Sequence, residues 1–173
     1  MNSTLIAQAL RFVFLVLLQV LVFKRLTLGG GNFNYVSVMV YPIFILLLPL
    51  RTPSALLIAL SFLMGITVDL FYDSPGVHAS AGVFMAWIRP GVLAILEPRG
   101  GHNRNQIPAK RYLGINWFAR YAALLLFGHL FFYFSVEAFT FVYIVDIFLR
   151  TLSSFVVSMV FVLIYQFLFD PGE

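Results

Sequence analysis

Charged residues are scarce in this chain: they make up 10% of its 173 residues, whereas soluble domains carry about 25%. Hydrophobic residues account for 61% of the sequence, and the mean hydropathy is +0.96. This shortage of charge excludes an ordinary soluble domain and predicts an all-α integral membrane protein. Cysteine is absent, which excludes disulfide bonds and thiolate groups that act as nucleophiles or metal ligands.

Six apolar segments follow one another along the chain, most of them close to the roughly 20 helical residues that cross a bilayer. The second segment is short and contains Pro42, which predicts a kink or a steep placement. One transmembrane domain of about six helices, covering residues 1–173, is therefore predicted. The six segments are residues 5–23, 35–50, 54 to 70 or 72, 77–96, 117–136 and a last one within 141–169.

The basic residues of the connections lie mostly on one side of these spans. Arg51 and the four basic residues of the loop 97–116 fall on the side that also holds both termini, against Lys24 and Arg25 on the other. Because Lys and Arg are enriched in cytoplasmic loops, we predict a multi-pass protein of a bacterial inner membrane with both termini in the cytoplasm. This topology accounts for the net charge of +4, so no nucleic-acid partner is predicted.

An acidic turn between the third and fourth segments is the most informative stretch of the sequence. Asp69 and Asp73 are four residues apart, so both would lie on one face of a helix that extends to Asp73. Pro75 and Gly76 then reverse the chain ahead of His78. Since a charge in hydrocarbon is costly, each carboxylate is expected to have a partner inside the bundle. His78 is the nearest one, and a turn histidine with satisfied hydrogen bonds is the simplest interpretation.

No catalytic or metal-binding pattern accompanies this turn. An intramembrane aspartyl protease needs a second Asp in a Gly-x-Gly-Asp context, because two carboxylates must share a proton, and that motif is missing. Asp73, Ser74 and His78 crowd one turn without a nucleophile elbow. The three histidines are scattered along the chain. The sequence therefore predicts no enzyme activity, no metal site and no cofactor.

Two further groups of polar residues need an explanation. Asp146 and Arg150 are spaced for a salt bridge on one helix face. Alternatively, Arg150 turns inward to Asp69 or Asp73 and joins the outer ends of the bundle. Arg89 and Pro90 lie two thirds of the way along the fourth segment, where Arg89 is expected to extend towards the cytoplasmic interface and Pro90 to kink the helix.

Between residues 65 and 90 the sequence has Gly65-x-x-x-Asp69, then Gly76 and Ala79, and then the Arg89-Pro90 pair. In these residues the run resembles the rod shape-determining protein MreD family. Small residues on the fourth segment, Gly82 among them, would let a partner helix approach closely. The candidate partner-binding or structural residues are Gly65, Asp69, Asp73, Pro75, Gly76, His78, Ala79, Gly82, Arg89, Pro90, Asp146 and Arg150.

The resemblance implies a fold similar to the substrate-binding subunits of energy-coupling-factor transporters. It also implies a non-enzymatic scaffold of the bacterial elongation complex, which maintains rod shape through lateral peptidoglycan synthesis. The implied partners are the single-span protein MreC, the actin-like MreB filament and the glycosyltransferase RodA, with membrane lipids as surroundings. A substrate-binding subunit for uptake of a vitamin-like molecule is the alternative, and its pocket would open outward near Asp69, Asp73 and His78.

Overall fold

The protein is a helical bundle, seen here in a computed structural model that describes residues 2–25, 36–97 and 107–169. The glycine run 29–31, residues 98–106 of the basic loop and the residues after 169 lie outside the described part. Short 3-10 turns at Phe23–Arg25 and Phe141–Tyr143 follow α1 and precede α7. The helices are α1 (Asn2–Leu21), α2 (Ile43–Leu46), α3 (Ser54–Tyr72), α4 (Val77–Ile95), α5 (Lys110–Leu113), α6 (Ile115–Ala138) and α7 (Ile144–Leu168).

Within the described part of the chain, three helices are long and apolar enough to span a membrane: α3, α6 and α7, with mean hydropathies of 2.1, 1.4 and 2.2. An apolar stretch of α1, Ile6–Leu21, is shorter. The chain is therefore a helical membrane protein, as its composition predicts. Helix α4 packs against both α3 and α6, while α6 also packs against α7 and α1 lies against α3.

Helices α3 and α4 form a tightly packed antiparallel hairpin. A Cβ atom added to Gly65 would lie 2.4 Å from the Cα of Ala79, and one added to Gly82 would lie 2.9 Å from the carbonyl oxygen of Ser61. Such distances are below van der Waals contact, so only glycine fits. Ala79 and Gly82 are buried, and the small residues of α4 thus serve the packing of this chain on itself. The expectation that they face a partner helix is wrong.

The second predicted span does not form a membrane-crossing helix. Only Ile43–Leu46 is helical there, and residues 37–40 have no regular structure. Every residue from 38 to 48 is nevertheless buried. The segment follows α1 from the level of Gln19, which bonds the backbone of Val38, to that of Arg11, which bonds Leu47. The chain therefore passes through the interior of the bundle in a largely non-helical conformation.

Polar side chains from the surrounding helices satisfy the backbone of this interior segment. The side-chain oxygen of Gln19 accepts hydrogen bonds from the amides of Val40 and Tyr41, at 2.8 and 3.3 Å. On α7, the hydroxyls of Ser154 and Ser158 accept the amides of Ser37 and Met39, both at 2.9 Å. Non-helical backbone at membrane depth is stable only where protein groups replace water in this way.

Side chains of α4 and α6 donate hydrogen bonds to backbone carbonyls of the same segment. Arg89 donates to the carbonyl of Leu48 through its guanidinium and to the hydroxyl of Tyr121 at 2.7 Å. Tyr121 in turn donates to the carbonyl of Leu46 at 3.1 Å. Arg89 is only 2% exposed, so the expectation that it extends to the interface is wrong. Pro90 lies inside α4, which continues to Ile95.

Candidate binding site at the turn end of the bundle

The side chain of Asp69, on α3, caps the N-terminus of the next helix, α4. Its carboxylate accepts the backbone amides of Gly76, His78 and Ala79 at 3.0 to 3.1 Å. These are among the amides that the start of any α-helix leaves without intrahelical partners. Gly76 has φ of 87° and supplies no side chain for this purpose. A negative charge is also favoured at the positive end of a helix dipole, so Asp69 fixes α4 onto α3.

Two side chains complete the surroundings of this carboxylate. The oxygen Oδ1 lies 2.9 Å from Nδ1 of His78 and accepts the hydroxyl of Ser74 at 3.0 Å. With the three amides, five hydrogen bonds converge on Asp69, which is 3% exposed. All lone pairs of the carboxylate are engaged. The geometry makes Asp69 architectural and leaves it no free capacity for catalysis or for a ligand.

Asp73 does not share this environment. It is exposed, and its backbone is left-handed, with φ of 54°, because α3 ends at Tyr72. Aspartate tolerates that conformation better than most residues. The prediction that Asp69 and Asp73 lie on one helix face is therefore wrong, since the helix stops one residue too early. Pro75 and Gly76 form the turn, as the sequence indicates.

Arg150 pairs with acidic residues near the start of α7 and the end of α6. Its guanidinium lies 3.3 Å from the carboxylate of Asp146, one helical turn away, and 3.7 Å from that of Glu137. All three side chains are partly exposed. The local pair with Asp146 is the one that the spacing predicts, whereas Glu137 as a second partner is not apparent from the sequence. The alternative pairing with Asp69 or Asp73 is not observed among the described residues.

A cavity of about 480 Å³ opens next to the Asp69 cap, at the end of the bundle that holds the turn 73–76. We call this the turn end. A smaller cavity of about 350 Å³ adjoins it and shares Glu137 and Arg150. Polar and aromatic side chains from most helices converge on the larger cavity, which is lined by Gln19, Phe23, Lys24, Ser37, Val38, Met39, Tyr72, Ser74, His78, Tyr133, Glu137 and Arg150.

Several of these lining residues are not identifiable as site residues from the sequence. Lys24, Tyr72 and Glu137 are far apart in the chain, and no motif relates them. The one signal that they share is position, because each lies at or just beyond the end of a helix. Of the predicted site residues, only His78 and Arg150 line the cavity. Gly65, Asp69, Ala79 and Gly82 belong to the α3–α4 contact, and Arg89 to the opposite half of the bundle.

His129 is a further buried polar residue that the fold uses. Its ring nitrogens lie 2.8 Å from the hydroxyl of Tyr41 and 3.0 Å from the carbonyl of Ala81. It thus links α6 to both the interior segment and α4.

Comparisons with protein-family models, curated proteins and solved structures returned no match for this chain. The fold and the cavity therefore carry the functional argument.

Proposed function

We propose that this protein is a non-enzymatic scaffold of the bacterial cell-elongation complex, similar to the MreD family. One observation supports this most. Four of the residues that carry the resemblance, Gly65, Asp69, Gly76 and Ala79, form a single structural unit in which α3 and α4 are held in close contact. A motif that is wholly engaged in holding two helices together is the kind expected of a protein that acts by shape and contact.

In this proposal the chain lies in the inner membrane with both termini in the cytoplasm. It makes six passes, one of them the non-helical interior segment and the others α1, α3, α4, α6 and α7. The partner is an MreC-like single-span protein that binds the exposed apolar helix faces. The face of α7 is the longest of these, and its exposed residues include Val145, Leu149, Leu152, Val156, Val160 and Ile164. The MreB-like filament and the RodA-type enzyme associate directly or through that partner.

Co-purification tests the proposal. The tagged protein is extracted from membranes of its own host in mild detergent, and the retained proteins are identified by mass spectrometry. A single-span membrane protein should be retained at a stoichiometric level. A matched sample that carries a tagged, unrelated multi-pass protein controls for adhesion in detergent. Retention of an ATPase instead of a single-span protein would refute the scaffold.

The alternative, a substrate-binding subunit of a small-molecule transporter, is favoured by one specific observation. The cavity at the turn end has a volume of about 480 Å³, within the range of roughly 300–1,000 Å³ that small-molecule sites occupy. Its polar lining converges from several helices, which is the arrangement that such a site requires. Uptake by cells that contain or lack the protein distinguishes this function from the first.

A further inference from the structure

Lys24 contributes an uncompensated positive charge to the cavity at the turn end. Its ammonium group donates to the backbone carbonyl of Phe71 and lies 5.6 Å from the centre of the Tyr72 ring. Neither contact is a charge partner. Among the described residues, no carboxylate lies within ion-pair distance of this ammonium group.

The other charged side chains at the cavity have partners of their own, although the two acids beside Arg150 leave one net negative charge. Arg150 lies between Glu137 and Asp146, at 3.7 and 3.3 Å, so its charge is shared by two acids. Asp69 is occupied by its five hydrogen bonds and faces donors on both oxygens. Lys24 is therefore the charged group in this cavity that is most available to an added ligand.

The polar and aromatic side chains around the cavity indicate what kind of molecule would fit beside Lys24. Gln19 is engaged by the interior segment. His78 has Nδ1 committed to Asp69 and Ser74, which leaves Nε2 as its remaining polar atom. Phe23, Tyr72 and Tyr133 supply aromatic surface around these groups. A flat apolar body with one acidic group at its edge matches this distribution, since aromatic rings stack favourably on one another.

We infer that the cavity binds a small amphipathic anion, with one carboxylate or phosphate on an aromatic or apolar body, and that Lys24 pairs with the acidic group. The acid can belong to a free metabolite-sized molecule or to the headgroup of an anionic lipid that reaches the cavity from the membrane. This inference goes beyond the scaffold proposal and stands on the cavity alone. It also specifies the ligand class that the transport alternative would require.

Two probes of equal shape test the inference. Naphthalene-2-carboxylate and naphthalene-2-carboxamide share a ring and a planar end group, but the amide is neutral and replaces one acceptor oxygen by an NH2 donor. The protein is held in nanodiscs of phosphatidylcholine so that no lipid anion competes. Binding is followed by saturation-transfer NMR. Because a hydrogen bond to a charged group is worth more than a neutral one, the carboxylate should bind about tenfold more tightly than the amide. Replacing part of the phosphatidylcholine by anionic phosphatidylglycerol shows whether the natural ligand is a lipid. Weaker binding of the carboxylate probe indicates competition by a lipid headgroup, and unchanged binding indicates a free molecule. Both results support an anion site at Lys24.

Lys24→Gln and Lys110→Gln form a matched pair of variants, since these are the two lysines of the chain. Lys110 lies over the ring of Phe167, outside the cavity. Lys24→Gln should lose the preference for the carboxylate, while Lys110→Gln keeps it. Thermal unfolding without probe shows that each variant is folded. Equal binding of acid and amide, unchanged binding by Lys24→Gln, or no saturable binding of the carboxylate at millimolar concentration would each overturn the inference. Partner retention is measured separately, so failure here leaves the scaffold proposal to its own test.

Discussion

Asp69→Asn should destabilise the fold far more than its small change in size suggests. Asparagine keeps one carbonyl oxygen and replaces the other by an amino group. On either side of the carboxylate that amino group would face at least two donors, either the amides of Gly76 and Ala79 or the groups bonded to Oδ1. The substitution therefore removes hydrogen bonds, and it places the amino group of asparagine against other hydrogen-bond donors in a buried site.

The magnitude follows from the number and kind of bonds lost. A hydrogen bond to a charged group contributes about 1.5–3 kcal/mol, and an unsatisfied buried donor costs about 1–3 kcal/mol. Asp69→Asn should therefore lower the free energy of unfolding by about 3 kcal/mol. Asp69→Ala removes the whole cap together with the partner of His78, and should cost as much as breaking a buried pair, about 3–5 kcal/mol.

Unfolding from mixed micelles with increasing dodecyl sulfate, followed by circular dichroism, measures these differences. Asp73→Asn is the matched control, because Asp73 is exposed, lies four residues away and has a left-handed backbone that asparagine tolerates. It should change stability by less than about 0.5 kcal/mol, as ordinary surface substitutions do. If Asp69→Asn proved no more destabilising than Asp73→Asn, the capping role of Asp69 would be refuted.

Three further predictions concern packing, the interior segment and topology. Gly65→Ala should cost about 1–3 kcal/mol through overpacking against Ala79, whereas Gly91→Ala, where nothing lies within 4 Å, should be neutral or stabilising by up to about 1 kcal/mol; equal effects in the same unfolding assay would contradict the close approach. Ser158→Ala leaves the buried amide of Met39 unpaired and should cost about 1–3 kcal/mol. Ser135→Ala, whose hydroxyl bonds its own helix, should cost little, and a reversed order would argue against the interior segment. Reporter fusions at residue 173 and within the loop 100–105 should be cytoplasmic and one at Ser74 external, and an external fusion at residue 173 would overturn the proposed topology.

The long helices are readable from the sequence because local signals mark their ends. The third and fourth predicted segments, 54 to 70 or 72 and 77–96, differ by at most two residues from Ser54–Tyr72 and Val77–Ile95. Pro53 precedes the first of these helices, and the turn at Pro75 and Gly76 separates the two. The predicted fifth segment, 117–136, falls two residues short of Ile115–Ala138 at each end. Apolar length and turn residues are sufficient for such elements.

The interior segment could not be predicted, because its conformation depends on distant residues. Residues 35–50 are as apolar as a spanning helix, and Pro42 and Pro49 are the local signals against a continuous helix. Polar side chains on other helices stabilise this non-helical backbone. They are Gln19, Arg89, Tyr121, Ser154 and Ser158. In the sequence, each of these five residues looks like an isolated polar residue in a membrane span. Only their convergence on one backbone gives them a common role.

The partners of the charged residues show the same limit. Asp146 and Arg150 are predictable because their spacing is local, whereas Glu137 reaches Arg150 from another helix. Asp69 is conspicuous in sequence as a carboxylate in a span. Its function as the cap of α4 depends on how closely α3 and α4 approach, and that approach is set by Gly65 and Ala79.

Depletion in a rod-shaped bacterium that depends on this protein tests the central claim most directly. If the chain is a scaffold for lateral wall synthesis, depleted cells should become round, as measured by the ratio of cell length to width. Re-expression of the wild-type protein should restore rods. Lys24→Gln should restore them equally well, because it changes a charge at the cavity and leaves the α3–α4 contact and the exposed face of α7 intact. Depleted cells that remain rods but lose uptake of a small molecule would contradict the scaffold and establish the transport alternative.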